Sequence, residues 1–308
     1  MTTITAADRP AYEGKALDLS GRSGARAFRN TLATVLITLC FLIALIPLVW
    51  VLWTVVTKGF SLLLHAEWWN ESQRGITARR VGGGAYHAIV GSLIMSLLCA
   101  IIAVPLGVLG AIYLVEYGRG TRAARAVSFM VDILTGVPSI VAALFVYAVW
   151  VTIIGQDRVG FAVSLSLVLL MMPVVLRSTE EMLKLVPDEL REASYALGVP
   201  KWKTILKIVV PTAFGGIVTG IMLGLARVIG ETAPLLILVG YSKNINYNPF
   251  SGFMGALPTM INQDRDNLAL APAADRVWAA ALTLILLVLA LNLLARLVAR
   301  FSTIKSDK

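Results

Sequence analysis

Residues 186–211 read VPDELREASYALGVPKWKTILKIVVP, and this stretch decides how the chain is understood. It is polar and amphipathic, yet long apolar runs lie on both sides of it. Pro187 followed by Asp188 and Glu189 opens a helix whose first turn carries negative charge, as the helix dipole favours. Gly198 stands where a left-handed turn closes that helix, and Pro200 begins the next one. A short helix, a glycine turn and a second short helix make a knob able to dock in a partner's groove. Taken alone, the pattern also fits an ordinary surface-lying loop.

The flanking sequence fixes the setting. Of 308 residues, 57% are hydrophobic and 15% charged, with mean hydropathy +0.79. A soluble domain is about half apolar and about a quarter charged, so this chain lacks the polar residues to cover a water-facing surface. Its apolar runs have membrane-spanning length. They lie at about Thr31–Thr57, Tyr86–Val115, Val127–Ile154, Phe161–Leu183, Ile205–Val239 and Ala274–Val298. Prolines 47, 105, 138, 173, 211 and 234 fall inside them, which membrane helices tolerate. The expected class is all-α integral membrane, with six transmembrane helices over residues 31–308. Residues 1–30 form a polar, flexible cytoplasmic segment to which no function is assigned. The first run is too long for a secretory signal and ends in Trp50 and Trp53, an interfacial anchor.

The net charge of +9 would suggest nucleic acid in a soluble protein. Here basic residues crowd alternate polar segments: Arg22, Arg26 and Arg29; Arg119, Arg122 and Arg125; Lys201, Lys203 and Lys207; Arg296 and Arg300. That bias puts both termini and residues 186–211 in the cytoplasm and removes nucleic acid as a partner. Cys40 and Cys99 sit within apolar runs as packing residues, and no spacing suggests a metal site. His65 and His87 are isolated and carry no assignment. No G-x-x-x-x-G-K-[ST] phosphate loop occurs, so any ATP hydrolysis belongs to another chain.

Charges inside the hydrocarbon cost at least about 2.5–3.5 kcal/mol at a helix centre and therefore point to function. Arg227 and Glu231 are four residues apart on one helical face and able to pair. Gly216, Gly220 and Gly224 form a small-residue stripe just before them, suited to close helix packing. The pair is therefore expected to face protein or a water-filled path, with Pro234 bending the helix one turn later. Arg177, followed by Glu180 and Glu181, is a second candidate for the path. It lies nearer the cytoplasmic boundary, where charge is cheap. A guanidinium fork matches phosphate geometry, while a neighbouring carboxylate limits how tightly an anion is held.

Within residues 186–211, Glu192-Ala193-Ser194, then Gly198, then Ile208-Val209-Val210-Pro211 resembles the E-A-A, three residues, G, nine residues, I-x-L-P motif of ABC importer permeases. Ser194 for Ala and Val210 for Leu are the departures. The resemblance implies that Glu192, Ala193 and Gly198 couple this chain to an ATPase. Ala226-Arg227-Val228-Ile229-Gly230-Glu231-Thr232-Ala233-Pro234-Leu235-Leu236 is similar to a stretch of PstA-type phosphate permeases. So are Leu170–Leu183 with Val186-Pro187, and Gly136-Val137-Pro138-Ser139-Ile140.

That likeness implies a permease of the bacterial inner membrane that binds no cofactor itself. Its partners would be a PstC-type permease, two PstB-type ATPase subunits carrying ATP and Mg, and a PstS-type phosphate-binding protein. The outer segment from Lys243 to Arg276 is a candidate for the last contact. The alternatives are a sulfate or molybdate permease on the same architecture and, less favoured, an ion-coupled secondary transporter. The latter should show inverted repeats, and none is found.

Overall fold

The computed structural model describes residues 24–302. Most of the N-terminal segment read as residues 1–30 lies outside them. Every regular element among the described residues is helical. Contacts divide the chain into Met1–Trp53 and Thr54–Lys308. The described part of the first unit is the greater portion of helix α1 (Gly24–Leu63), which has Pro47 in its interior. Its span Ala27–Leu63 has hydropathy 2.9.

In the second unit, α2 (Ala66–Asn70) and a loop lead to α3 (Tyr86–Ile112), which continues through a widened π turn, Tyr113–Tyr117. Then come α4 (Arg122–Thr135), α5 (Ser139–Val146) with a π extension to Ile153, and α6 (Gly160–Lys184). Helices α7 (Asp188–Ala196) and α8 (Lys201–Thr204) form the knob. A π turn, Ile205–Val209, feeds α9 (Val210–Ile229), and α10 (Ala233–Leu238), α11 (Leu257–Asp264) and α12 (Ala271–Ser302) complete the chain.

Helix α6 is the axle of this unit. Its central buried residues, among them Leu167, Met171, Val175 and Leu176, meet α3 on one side and α9 on the other. Both seams are lined by glycine. A Cβ on Gly107 of α3 would lie 2.8 Å from Val175, and one on Gly110 2.8 Å from Leu176. On α9, Gly216 faces Met182, Gly220 faces Ser178 and Gly224 faces Met171. Lipid supplies no hydrophobic drive between helices, so close backbone approach and dispersion contacts hold these seams.

Two apolar runs read as continuous are broken. The third is bent by 107° between α4 and α5. Val137 precedes Pro138, which disfavours helical backbone there, and Pro138 becomes the residue that opens α5. Helix α4 is capped by the Thr121 hydroxyl, which accepts from the Ala124 amide at 3.1 Å. The fifth run breaks at Gly230–Thr232, before Pro234. Pro234 stands in the first turn of α10, where no amide donor is needed, while Pro211 follows the π turn within the continuous helical run Lys201–Ile229. The break therefore falls at Glu231 itself, not one turn beyond it. Among the described residues five helices are long and apolar enough to span, and six if the bent α4–α5 pair counts as one span.

Candidate functional site

Arg227 lies in the last turn of α9, and Glu231 follows the Gly230 cap in the unwound segment before α10. Their nearest approach, Arg227 Nε to Glu231 Oε1, is 3.8 Å. That is an ion pair without a close hydrogen bond. The Arg227 side chain is 47% exposed and that of Glu231 18%. Since the glycine stripe faces α6, α9 uses one side for packing and leaves the Arg227 guanidinium open on another. An open cation next to unwound backbone has donors available for an anion.

Arg177 is built differently. Its Nη1 donates to Glu180 at 2.6 Å, and its Nη2 reaches Asp132 at 2.5 Å and the Ser128 hydroxyl and carbonyl at 2.8 and 2.9 Å. Glu180 also receives Lys184 at 2.6 Å. These bonds tie α4 to α6 beyond the 107° bend, so the guanidinium is largely committed. The two arginines are not brought together: Arg227 pairs with Glu231, and Arg177 pairs with Asp132 and Glu180.

The knob has an inner and an outer face. Gly198 takes φ +74°, and a Cβ there would meet nothing within 4 Å. Glycine is favoured by backbone conformation, not by crowding. Glu192 and Ala193 are exposed, with Leu190, Tyr195, Leu197 and Trp202 exposed beside them. On the inner face, Arg191 is buried. It donates to Glu116 at 3.0 and 2.8 Å, to the carbonyls of Leu183 and Val186 at 3.0 and 2.7 Å, and to Asp188 at 3.1 Å. Lys201 donates to the Glu116 carbonyl and lies 5.0 Å above the Tyr117 ring. The hydroxyls of Ser194 and Thr204 meet at 2.8 Å, joining α7 to α8. Ser194, the departure from alanine in the motif, thus supplies one of the knob's internal bonds.

No local pattern in the sequence marks Arg191 or Glu116. Their separation of 75 residues hides the pairing. Arg276 was missed for the same reason. It is buried against Asp264 at 3.1 Å and donates to the carbonyls of Arg80 and Thr77 at 2.9 and 3.3 Å. Nearby, the Tyr241 hydroxyl lies 3.2 Å from Gln73 Oε1 and 3.1 Å from His87 Nε2. Burial and the Asp264 carboxylate raise the Tyr241 pKa, keeping it a donor, and Arg276 offsets part of this. These contacts fasten the end opposite the knob.

The family profile described as binding-protein-dependent transport system inner membrane component matches residues 103–303. The chain is 54% identical over 286 residues to the phosphate transport system permease protein PstA of Mycobacterium leprae (strain TN), covering 93% of this chain and 92% of that one. It is 41% identical over 276 residues to the PstA of Yersinia pestis, covering 89% and 90%. Among solved structures, the inward-facing MetNI methionine ABC transporter matches with TM-score 0.56 and 21% identity, over 72% of this chain and 95% of that one. A bacterial ABC transporter that imports the acidic polysaccharide alginate matches with TM-score 0.59 and 18% identity, over 88% and 96%. At those identities the structural likeness speaks for the fold.

Proposed function

The chain belongs to the binding-protein-dependent transport system inner membrane components, and within them to the PstA phosphate permeases, and on that premise we propose how it moves its substrate. It is a multi-pass transport subunit. Its cargo is inorganic phosphate, and it shares the path with a PstC-type permease in a bacterial inner membrane. Two PstB-type ATPase subunits, which bind ATP and Mg, dock on the knob from the cytoplasm. A PstS-type protein delivers phosphate on the other side. Both termini are cytoplasmic in this arrangement.

The observation that carries the reading is the loose Arg227–Glu231 pair at the α9–α10 break. An incoming phosphate oxyanion takes the guanidinium fork, with Glu231 displaced or repelled. As the path opens inward, Glu231 regains the arginine and lowers its hold on the anion. A site without that competitor would bind phosphate and fail to release it. The face bearing Arg227 is the side offered to the second permease. Glu192, Ala193 and Gly198 form the ATPase contact, and Arg191–Glu116 makes the knob move with α3 and its π turn instead of pivoting freely.

The test is uptake of labelled phosphate into proteoliposomes holding the full complex. Phosphate uptake that requires ATP and resists excess sulfate supports the assignment. Uptake suppressed equally by sulfate or molybdate would assign a broader oxyanion importer. Uptake driven by an ion gradient without ATP would remove the importer reading.

A further inference from the structure

Between α9 and α12, near the C-terminal end of the span Ala271–Leu297, lies a cavity of about 150 Å³. Met222 and Leu223 of α9 and Ala295 of α12 give it an apolar wall. Thr219 and Asn292 also line it, but each turns its donor back on its own helix. The Thr219 hydroxyl donates to the Gly215 carbonyl at 2.8 Å, and Asn292 Nδ2 donates to the Val288 carbonyl at 2.9 Å. Arg296 brings the one charge in the lining. It is exposed, and among the described residues it makes no ion pair.

This lining excludes most occupants. A small water-soluble anion would meet a single cation, beside apolar side chains that strip its hydration and return no hydrogen bond. A helix with its side chains is about 10–12 Å wide, whereas 150 Å³ taken as a sphere is about 7 Å across. One acyl chain fits that width. Arg296 stands one residue before the end of the span. There the hydrocarbon gives way to headgroups, and a long cationic side chain reaches the interface along its apolar stem. An apolar slot that ends in an unpaired arginine at that depth matches a lipid with an anionic headgroup.

We propose that the slot between α9 and α12 is a binding site for an anionic phospholipid, with one acyl chain against Met222 and Leu223 and the headgroup phosphate on Arg296. The lipid so held braces α12 against α9, the helix whose last turn carries Arg227. The site does not depend on which substrate the chain carries.

The experiment places the complete complex in nanodiscs of phosphatidylcholine with a minor share of phosphatidylglycerol. A photoreactive benzoylphenylalanine replaces Leu223, and its adducts are identified by mass spectrometry. Phosphatidylglycerol adducts should exceed that lipid's share of the bilayer. Arg296→Ala should lower the enrichment about fivefold, the worth of one basic residue at an anionic surface, and Arg296→Lys should keep most of it. Met222→Trp, which fills the slot and leaves the charge, should abolish the enrichment. Exposed Arg296 variants are expected to assemble as the wild type does. Adducts that match the bulk lipid composition overturn the proposal, as does an enrichment indifferent to Arg296→Ala. Crosslinks to a protein chain in place of lipid would show that a protein covers the slot, and they overturn it too.

Discussion

Arg191 in α7 donates twice to one oxygen of Glu116, from Nε at 3.0 Å and from Nη2 at 2.8 Å, with both side chains buried. This pair bolts the knob to the π turn that ends the α3 span. An isolated buried charge is far costlier than a paired one, so removing either partner should cost about 3–5 kcal/mol. Arg191→Ala is expected to lower the apparent Tm of the complex and to uncouple hydrolysis from uptake. Glu116→Gln, which still accepts a hydrogen bond, should do less. Thermal melts and coupled uptake and hydrolysis assays check this; equal tolerance of both changes would show the pair to be incidental.

The glycine seam discriminates between neighbouring positions. A Cβ on Gly220 would collide with the Ser178 side chain, whereas one on Gly215 meets nothing within 4 Å. Gly220→Val should therefore destabilise by about 1–3 kcal/mol through overpacking. Gly215→Ala should be neutral or stabilising by up to about 1 kcal/mol through helix propensity. Comparing the two melting temperatures in the same detergent decides it.

Arg177 supports α4 from α6 through Asp132 and Ser128. If its main part is this tether, Asp132→Ala and Arg177→Ala should impair uptake to a similar degree, and the double change should add little. An Arg177→Ala defect far larger than that of Asp132→Ala would mean the guanidinium meets the substrate directly.

Leu197, 84% exposed on the knob, packs against little within this chain. Leu197→Asp should leave the purified permease as stable as before and reduce co-purification of the ATPase several-fold, as expected for an apolar contact in an interface core. Undiminished capture would move the docking face elsewhere on the knob.

Much of this architecture could be read from local patterns. Apolar runs longer than the bilayer core announced the spans, and Gly198 announced the turn between α7 and α8 at its observed left-handed φ. The ion pairs that brace the two ends could not be read. Glu116–Arg191 joins residues 75 apart, and Arg276 spends its donors on loop carbonyls that no pattern marks. The breaks were half legible. Pro138 and Pro234 were visible, but a proline can sit inside a membrane helix, as Pro105 and Pro173 do, or open a new one. Which occurs depends on neighbours: Gly230 lets α9 end before Pro234, and Gly136 does the same for α4 before Pro138. The exposure of Arg227 was likewise out of reach, because it depends on which side of α9 the glycine stripe commits to α6.

The proposed importer mechanism stands on Arg227 as the cation to meet the anion. The direct measurement is phosphate uptake and ATP hydrolysis, side by side, in proteoliposomes of the full complex carrying Arg227→Ala or Glu231→Gln. Arg227→Ala should lower uptake by about two orders of magnitude, the worth of about 3 kcal/mol from charge-assisted hydrogen bonds, while the complex assembles and still hydrolyses ATP. Glu231→Gln, lacking the competing charge, should bind phosphate more tightly and release it more slowly. Full uptake by Arg227→Ala in an assembled complex would contradict the mechanism.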